Sequence, residues 1–203
     1  MFRPNLLSLV VAVAVCPPVI QAQTERDLDS HEHGAASINV VIDGKTVFVE
    51  FESPWNNLVG FEHSPSTDDQ RQAVADAMQI LETPANLFVF NDNAGCQVSS
   101  TEVESTLETN AEHDEHEHGH DDHKDEHAGH DDHADHGEDT HSEVVAMYSF
   151  DCAKPEKIES VAVKLFDFYS GFESIGYQAA GPSGQTGAAL SASDSTLDLS
   201  DVR

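Results

Sequence analysis

Residues 37–52 read SINVVIDGKTVFVEFE, two β-branched-rich runs separated by Asp43-Gly44. Val47, Val49 and Phe51 share one parity, as side chains do on one face of a strand. Asp-Gly between two such runs is a strong two-residue hairpin signal, so 37–43 and 45–52 are predicted to pair. Phe48 is apolar on the other parity, which leads us to expect both faces of this strand to be covered.

Ser53-Pro54 ends the strand, and 55–63 (WNNLVGFEH) forms an apolar connection. Thr67, Asp68 and Asp69 supply start signals for a helix over 67–81, with Ala73, Ala77, Ile80 and Leu81 at spacings of three or four and Pro84 beyond its end. A short strand is expected over 86–90 and a turn over 91–95. If Cys96 lies opposite Cys152, 96–107 and 144–152 pair antiparallel, with Val98 facing Phe150, Ser100 facing Tyr148 and Val103 facing Val145. That register puts Cys96, Val98, Ala146, Tyr148, Phe150 and Cys152 on one apolar face. Further strands are expected over 158–165 and 196–199, with a hairpin (177–179 and 187–191) around Gly181 to Gly184. A second aromatic connection covers 166–175, where Gly171-Phe172-Glu173 repeats Gly60-Phe61-Glu62 and suggests internal duplication. Trp55, Phe61, Phe166, Phe168, Phe172 and Tyr177 are most simply core.

Residues 112–141, EHDEHEHGHDDHKDEHAGHDDHADHGEDTH, break every one of these periods. They hold ten of the thirteen histidines, no aromatic or branched aliphatic residue, and only two alanines. Such a segment cannot bury enough apolar surface to offset the entropy of ordering it, so 110–143 is expected to be a disordered loop inserted in a hairpin. Long surface insertions add little closure entropy. Without this loop and residues 1–22, which read as a signal peptide, about 150 residues remain for folding, enough for one core. The expected architecture is one α+β domain over 23–203, mostly antiparallel β-sheet with one principal helix.

The net charge of −29 changes the picture further. It argues against nucleic acid, whose backbone demands a basic footprint, and against anionic membrane surfaces. It suits a protein that attracts cations. Arg3 followed by the apolar run 6–15 and Ile20-Gln21-Ala22 reads as a signal peptide over 1–22, too short to span a bilayer. Export would leave two cysteines, Cys96 and Cys152, one on each side of the tract, and in an oxidising compartment such a pair is read as a disulfide. The alternatives are a thiolate metal pair and a lipid anchor at Cys16.

Imidazole nitrogen with carboxylate oxygen is the ligand set of borderline divalent metals. The tract supplies His113, His116, His118, His120, His123, His127, His130, His133, His136 and His141, and its GHDDH string at 119–123 recurs at 129–133. Spacings of three and four allow two rings on one helical turn, whereas spacings of two and five and the glycines argue against one rigid site. Several weak, exchanging sites are expected, on the order of three or four ions at two or three histidines each. An acidic spacer and a pH-sensing loop are the plainer readings. His31 and His33 alternate before the first strand and could share an ion; His63 is a further candidate ligand. No nucleophile pair, phosphate loop or His-Glu-x-x-His motif is present, so no enzyme is expected. Ligand type does not separate zinc from nickel or copper.

His31-Glu32-His33-Gly34 before a hairpin, Glu52-Ser53-Pro54, Leu58 to His63 (LVGFEH), Gly95-Cys96, the His/Asp loop and Tyr148-Ser149-Phe150-Asp151-Cys152 together resemble the ZrgA-like family. Its members are zinc-regulated proteins of the Gram-negative periplasm, associated with zinc uptake. The resemblance implies Zn²⁺ binding, periplasmic location and assistance to a periplasmic or inner-membrane zinc import component. The family's aromatic-proline helix appears here as Phe166-Asp167-Phe168-Tyr169, without proline.

Overall fold

In a computed structural model of the chain, residues 32–108 and 141–203 are described; the expected signal peptide and almost all of the His/Asp tract lie outside them. A six-stranded sheet has the order β4-β5-β2-β1-β7-β8 and a three-stranded sheet the order β3-β6-β9. The larger contains β1 (Ala35–Asp43), β2 (Thr46–Pro54), β4 (Cys96–Ser105), β5 (Glu143–Cys152), β7 (Ser174–Gly181) and β8 (Gly184–Leu190). The smaller contains β3 (Phe88–Phe90), β6 (Ser160–Val163) and β9 (Thr196–Asp198). Among the described residues all strand pairings are antiparallel except β1 with β7. The mostly antiparallel expectation holds, but the strands divide into two sheets and carry one parallel pair.

The β1–β2 hairpin turns at Gly44-Lys45, with Asp43 opposite Thr46. Its buried parity pairs Ile38 with Phe51, Val40 with Val49 and Ile42 with Val47. The opposite face is open. Phe48 and its partner Val41 are 46% and 47% exposed, so the expectation that both faces are covered is corrected: the smaller sheet and the helix pack on one face only. Phe88 and Phe90 of β3 meet Tyr148 and Phe150 of β5 at ring-centroid distances of 5.5 and 4.9 Å.

Among the described residues three α-helices accompany the sheets: α1 (Trp55–Val59), α2 (Asp68–Leu81) and α3 (Leu165–Phe168). Helix α2 starts on a complete capping box between Thr67 and Gln70 and buries Val74, Ala77 and Leu81. The one-turn helix α1 falls inside the first aromatic connection and α3 begins at Leu165, the residue expected to end a strand, and runs into the second; each is too short to display a helical period.

In the β4–β5 hairpin Cys96 faces Cys152 and Val98 faces Phe150. A β-bulge between Val98 and Ser100 then shifts the register by one, so Ser100 faces Ser149 and Val103 faces Ala146. The expected pairs Ser100–Tyr148 and Val103–Val145 are thereby corrected. The cause is parity: Val98 and Val103 are an odd number of residues apart, and only one extra residue brings both to the same side. Cys96 and Cys152 form a disulfide across a sequence separation of 56.

The hydroxyls of Tyr148 and Tyr169 donate to the carbonyls of Leu81 and Ala77, at 2.9 and 3.1 Å, and so hold α2 to the core. Burial raises the pKa of both, and Tyr169 raises that of Tyr148 further. A tyrosine that folding keeps neutral stabilises fully below its unfolded pKa of about 10 and loses that contribution as pH rises above it. Urea midpoints should therefore fall above about pH 10. The double variant Tyr148→Phe/Tyr169→Phe, weaker at neutral pH by about 1 kcal/mol per lost bond, should show a flatter alkaline limb. Replacing both cysteines by serine should lower stability by roughly 2–4 kcal/mol in the same assay.

Candidate metal centre

The His/Asp tract leaves and re-enters the fold at one point, and α1 fastens that point. Ser105 closes β4 opposite Val144 of β5. The Trp55 backbone N–H donates to the Ser142 carbonyl at 2.9 Å, and its indole N–H donates to Ser105 Oγ at 2.9 Å. A single buried tryptophan thus holds both strands at the neck of the hairpin. Thr106 and Glu143 close it further, through Thr106 N–H to the Glu143 carbonyl at 3.0 Å and Glu143 N–H to Thr106 Oγ1 at 2.8 Å. The disulfide sits at the other end of these strands, about 30 Å away at roughly 3.3 Å per residue.

Asn57 of α1 is buried and fixes the segment entering β1. Its Oδ1 accepts from Gly34 N–H at 2.6 Å, and its Nδ2 donates to the Ala35 carbonyl at 2.7 Å and to Ser53 Oγ at 3.2 Å. Gly60 then ends α1 in the left-handed region, at φ 84°, and turns Phe61 and Glu62 back towards His33. Gly171, in the repeated Gly-Phe-Glu string, is needed for another reason: a Cβ there would collide with the Asn57 carbonyl. Glu173 follows, donating its N–H to the Gly34 carbonyl at 2.8 Å. Both strings therefore converge beside residues 33–34.

Glu62 is the centre of this arrangement. Its side chain is only 13% exposed. His33 Nε2 lies 3.0 Å from Oε1 and His141 Nδ1 lies 3.1 Å from Oε2. Ser142 Oγ donates to the Glu62 carbonyl at 2.7 Å, so the backbone of this residue is fixed as well. Both rings are more than half exposed. A carboxylate gripping two imidazoles offers nitrogen and oxygen donors of the type borderline divalent ions take. Among the described residues, no group of three or more His, Cys, Asp or Glu side chains is placed so that it could hold a metal ion. The carboxylate holds each ring on a separate oxygen instead.

The structure thus brings together His33 and His141, which are 108 residues apart in sequence, and adds Glu62, which the sequence reading did not single out. One signal could have found it: Glu62 is the only acidic residue of the apolar stretch 55–63. His63 is not part of the arrangement. Its ring stacks on Phe61 with centroids 5.0 Å apart, and its Nδ1–H donates to the Ser64 carbonyl at 3.0 Å. His31, His113, His116, His118, His120, His123, His127, His130, His133 and His136 lie outside the described residues.

Because Asn57 satisfies both a backbone donor and a backbone acceptor inside the fold, Asn57→Ala should destabilise the domain by about 2–3 kcal/mol. It should also speed hydrogen exchange at Gly34 selectively. Urea unfolding and amide exchange measure the two effects.

A protein-family model described as a ZrgA family zinc uptake protein matches residues 30–199. Among curated protein sequences no relative matches the chain. The matched span contains His33, Glu62, Cys96, Cys152 and the whole tract. The chain belongs to the ZrgA family of zinc uptake proteins.

Proposed function

We propose that this protein captures and buffers Zn²⁺ in the periplasm through its His/Asp tract, and assists uptake by presenting the ion to an import component. The observation that carries this reading is the placement of the tract: a run of neutral-imidazole and carboxylate donors whose two ends meet at one rigid neck, beside further donors of the same kind. Tract carboxylates would raise the local cation concentration and lend oxygen ligands. Several histidines per ion, with glycines between them, suit fast exchange rather than permanent retention, which is what handing on a cargo requires. The role proposed is binding, not catalysis. No helix among the described residues is long and apolar enough to cross a membrane.

The test is calorimetric titration of the exported chain with Zn²⁺, beside a full-length variant in which the nine histidines from His113 to His136 are replaced by asparagine. The variant should bind on the order of three fewer ions. Affinity of the lost class should weaken as pH falls below about 6.5, because imidazole binds metal only when neutral. Equal stoichiometry in both chains would sink the reading. Parallel titrations with Ni²⁺ and Cu²⁺ establish whether zinc is preferred, and Cu²⁺ is expected to bind tightest in vitro on ligand chemistry alone.

A further inference from the structure

We infer that β8 is a docking edge for a second copy of this chain. Two β8 strands pair antiparallel about a two-fold axis and join two six-stranded sheets into one. This association is independent of zinc capture and uses the side of the sheet away from the tract.

A sheet edge presents unpaired N–H and C=O groups, and proteins blunt such edges with charge, bulges or short strands. Among the described residues the two sheets have four edges, and three are blunted in this way. β4 carries Glu102 and Glu104, a bulge between Val98 and Ser100, and the disulfide at Cys96. β3 and β9 are three residues each. β8 is seven residues long, with no charge, proline or register shift, and among the described residues it pairs with β7 alone. Gly184, Gln185, Gly187, Ala188 and Ala189 are exposed.

The backbone groups on offer follow from the hairpin. Pro182-Ser183 is a two-residue turn closed by Gly181 and Gly184. Such a closing pair exchanges hydrogen bonds, and bonded and non-bonded pairs alternate from there. Thr186, Ala188 and Leu190 therefore bond to β7, while the N–H and C=O of Gln185, Gly187 and Ala189 point away from it. The turn itself is anchored: Ser183 N–H donates to the Val202 carbonyl at 3.4 Å, and a Cβ at Gly181 would collide with that carbonyl. Antiparallel pairing centred on Gly187 sets Gln185 of one copy against Ala189 of the other. It satisfies every outward group on both strands, through about six hydrogen bonds.

Charge selects the occupant. Residues 174–193 contain no Asp, Glu, Lys, Arg or His, in a chain of net charge −29. A cationic partner would be drawn to the acidic positions elsewhere, whereas this edge matches a neutral strand, and the chain's own β8 is one of the right length. Copies of so acidic a chain repel one another. The strand order puts β8 at the edge opposite β4, whose hairpin with β5 carries the His/Asp tract. Pairing through β8 leaves the two β4 strands at the ends of the joined sheet, roughly 50 Å apart at about 4.8 Å per strand. That is well beyond the Debye length of about 8 Å at physiological ionic strength. Pairing through β4 would set the two tracts side by side.

Sedimentation velocity of the full-length exported chain measures the association, in EDTA so that no metal bridges the tracts. Edge pairing is a small interface, so a dimer is expected to form between about 10 µM and 1 mM. Added NaCl should strengthen it, because salt screens the repulsion between acidic copies. Amide exchange at Gln185, Gly187 and Ala189 should slow as protein concentration rises. Gln185→Pro removes an outward N–H and should weaken dimerisation by roughly 10–100-fold, since the two-fold axis counts each lost bond twice. Should that variant fold poorly, a charge pair still tests the register. Gln185→Glu/Ala189→Glu sets like charges opposite each other and should abolish the dimer, and Gln185→Glu/Ala189→Lys should restore it. A chain that stays monomeric at about 1 mM overturns the pairing. So does a double-glutamate variant that associates like the wild type, a lysine variant no better than it, or a dimer whose three outward amides exchange freely. Protection of those amides at every concentration also overturns it, since another segment of the same chain would then occupy the edge.

Discussion

Everything about this chain depends on closing the sheet across a long polar excursion. The backbone departs after Ser105 and must come back as Glu143 in register with it. The entropy of bringing two ends together rises only logarithmically with the length between them, so the excursion itself is cheap. What has to be specified is register, since a slip of one residue would turn every buried side chain of β5 to water. Three devices specify it: the disulfide at the far end, the bulge midway and the tryptophan at the neck. Trp55 is the most economical of them, because one residue reads the position of both strands, by its backbone to Ser142 and by its indole to Ser105.

The same closure explains which parts of the fold are legible in the chain. Hairpins and the capped helix are local, and the parity of Val47, Val49 and Phe51 or the Thr67-to-Gln70 box states them directly. The cysteine pairing is legible because only two cysteines flank the tract. The bulge is not, since QVSSTEV carries no glycine or proline to announce it and the need for it arises only against β5. Nor is the parallel pairing of β1 with β7, a contact across some 140 residues that no local period encodes. Phe48 misled for a related reason: an apolar residue on the second face implies a covering layer only if one exists, and aromatic residues are favoured on open strands as well.

The candidate centre divides along similar lines. Histidine is scarce enough that ten in one stretch announce metal chemistry. Carboxylates are not: among 38 acidic residues Glu62 has no distinguishing mark except its apolar company. Its role is created by burial and by convergence, when Gly60 reverses the chain and the hairpin returns His141 to the same place. The tract histidine that lies among the described residues is the last, immediately before Ser142, and it meets Glu62, where sequence composition alone would treat all ten as equivalent.

That difference bears on how a strongly acidic protein can be selective for a cation. Acidic side chains attract every cation, and the attraction fades over a Debye length of about 8 Å at physiological ionic strength. Charge therefore concentrates ions near the tract without choosing among them. Choice requires donors of fixed type at fixed separation. An ion must shed water to reach such donors, and imidazole nitrogen repays that desolvation far better for zinc-like ions than for calcium or magnesium. Concentration by charge and selection by geometry are thus separate tasks, and an excess of carboxylates performs only the first.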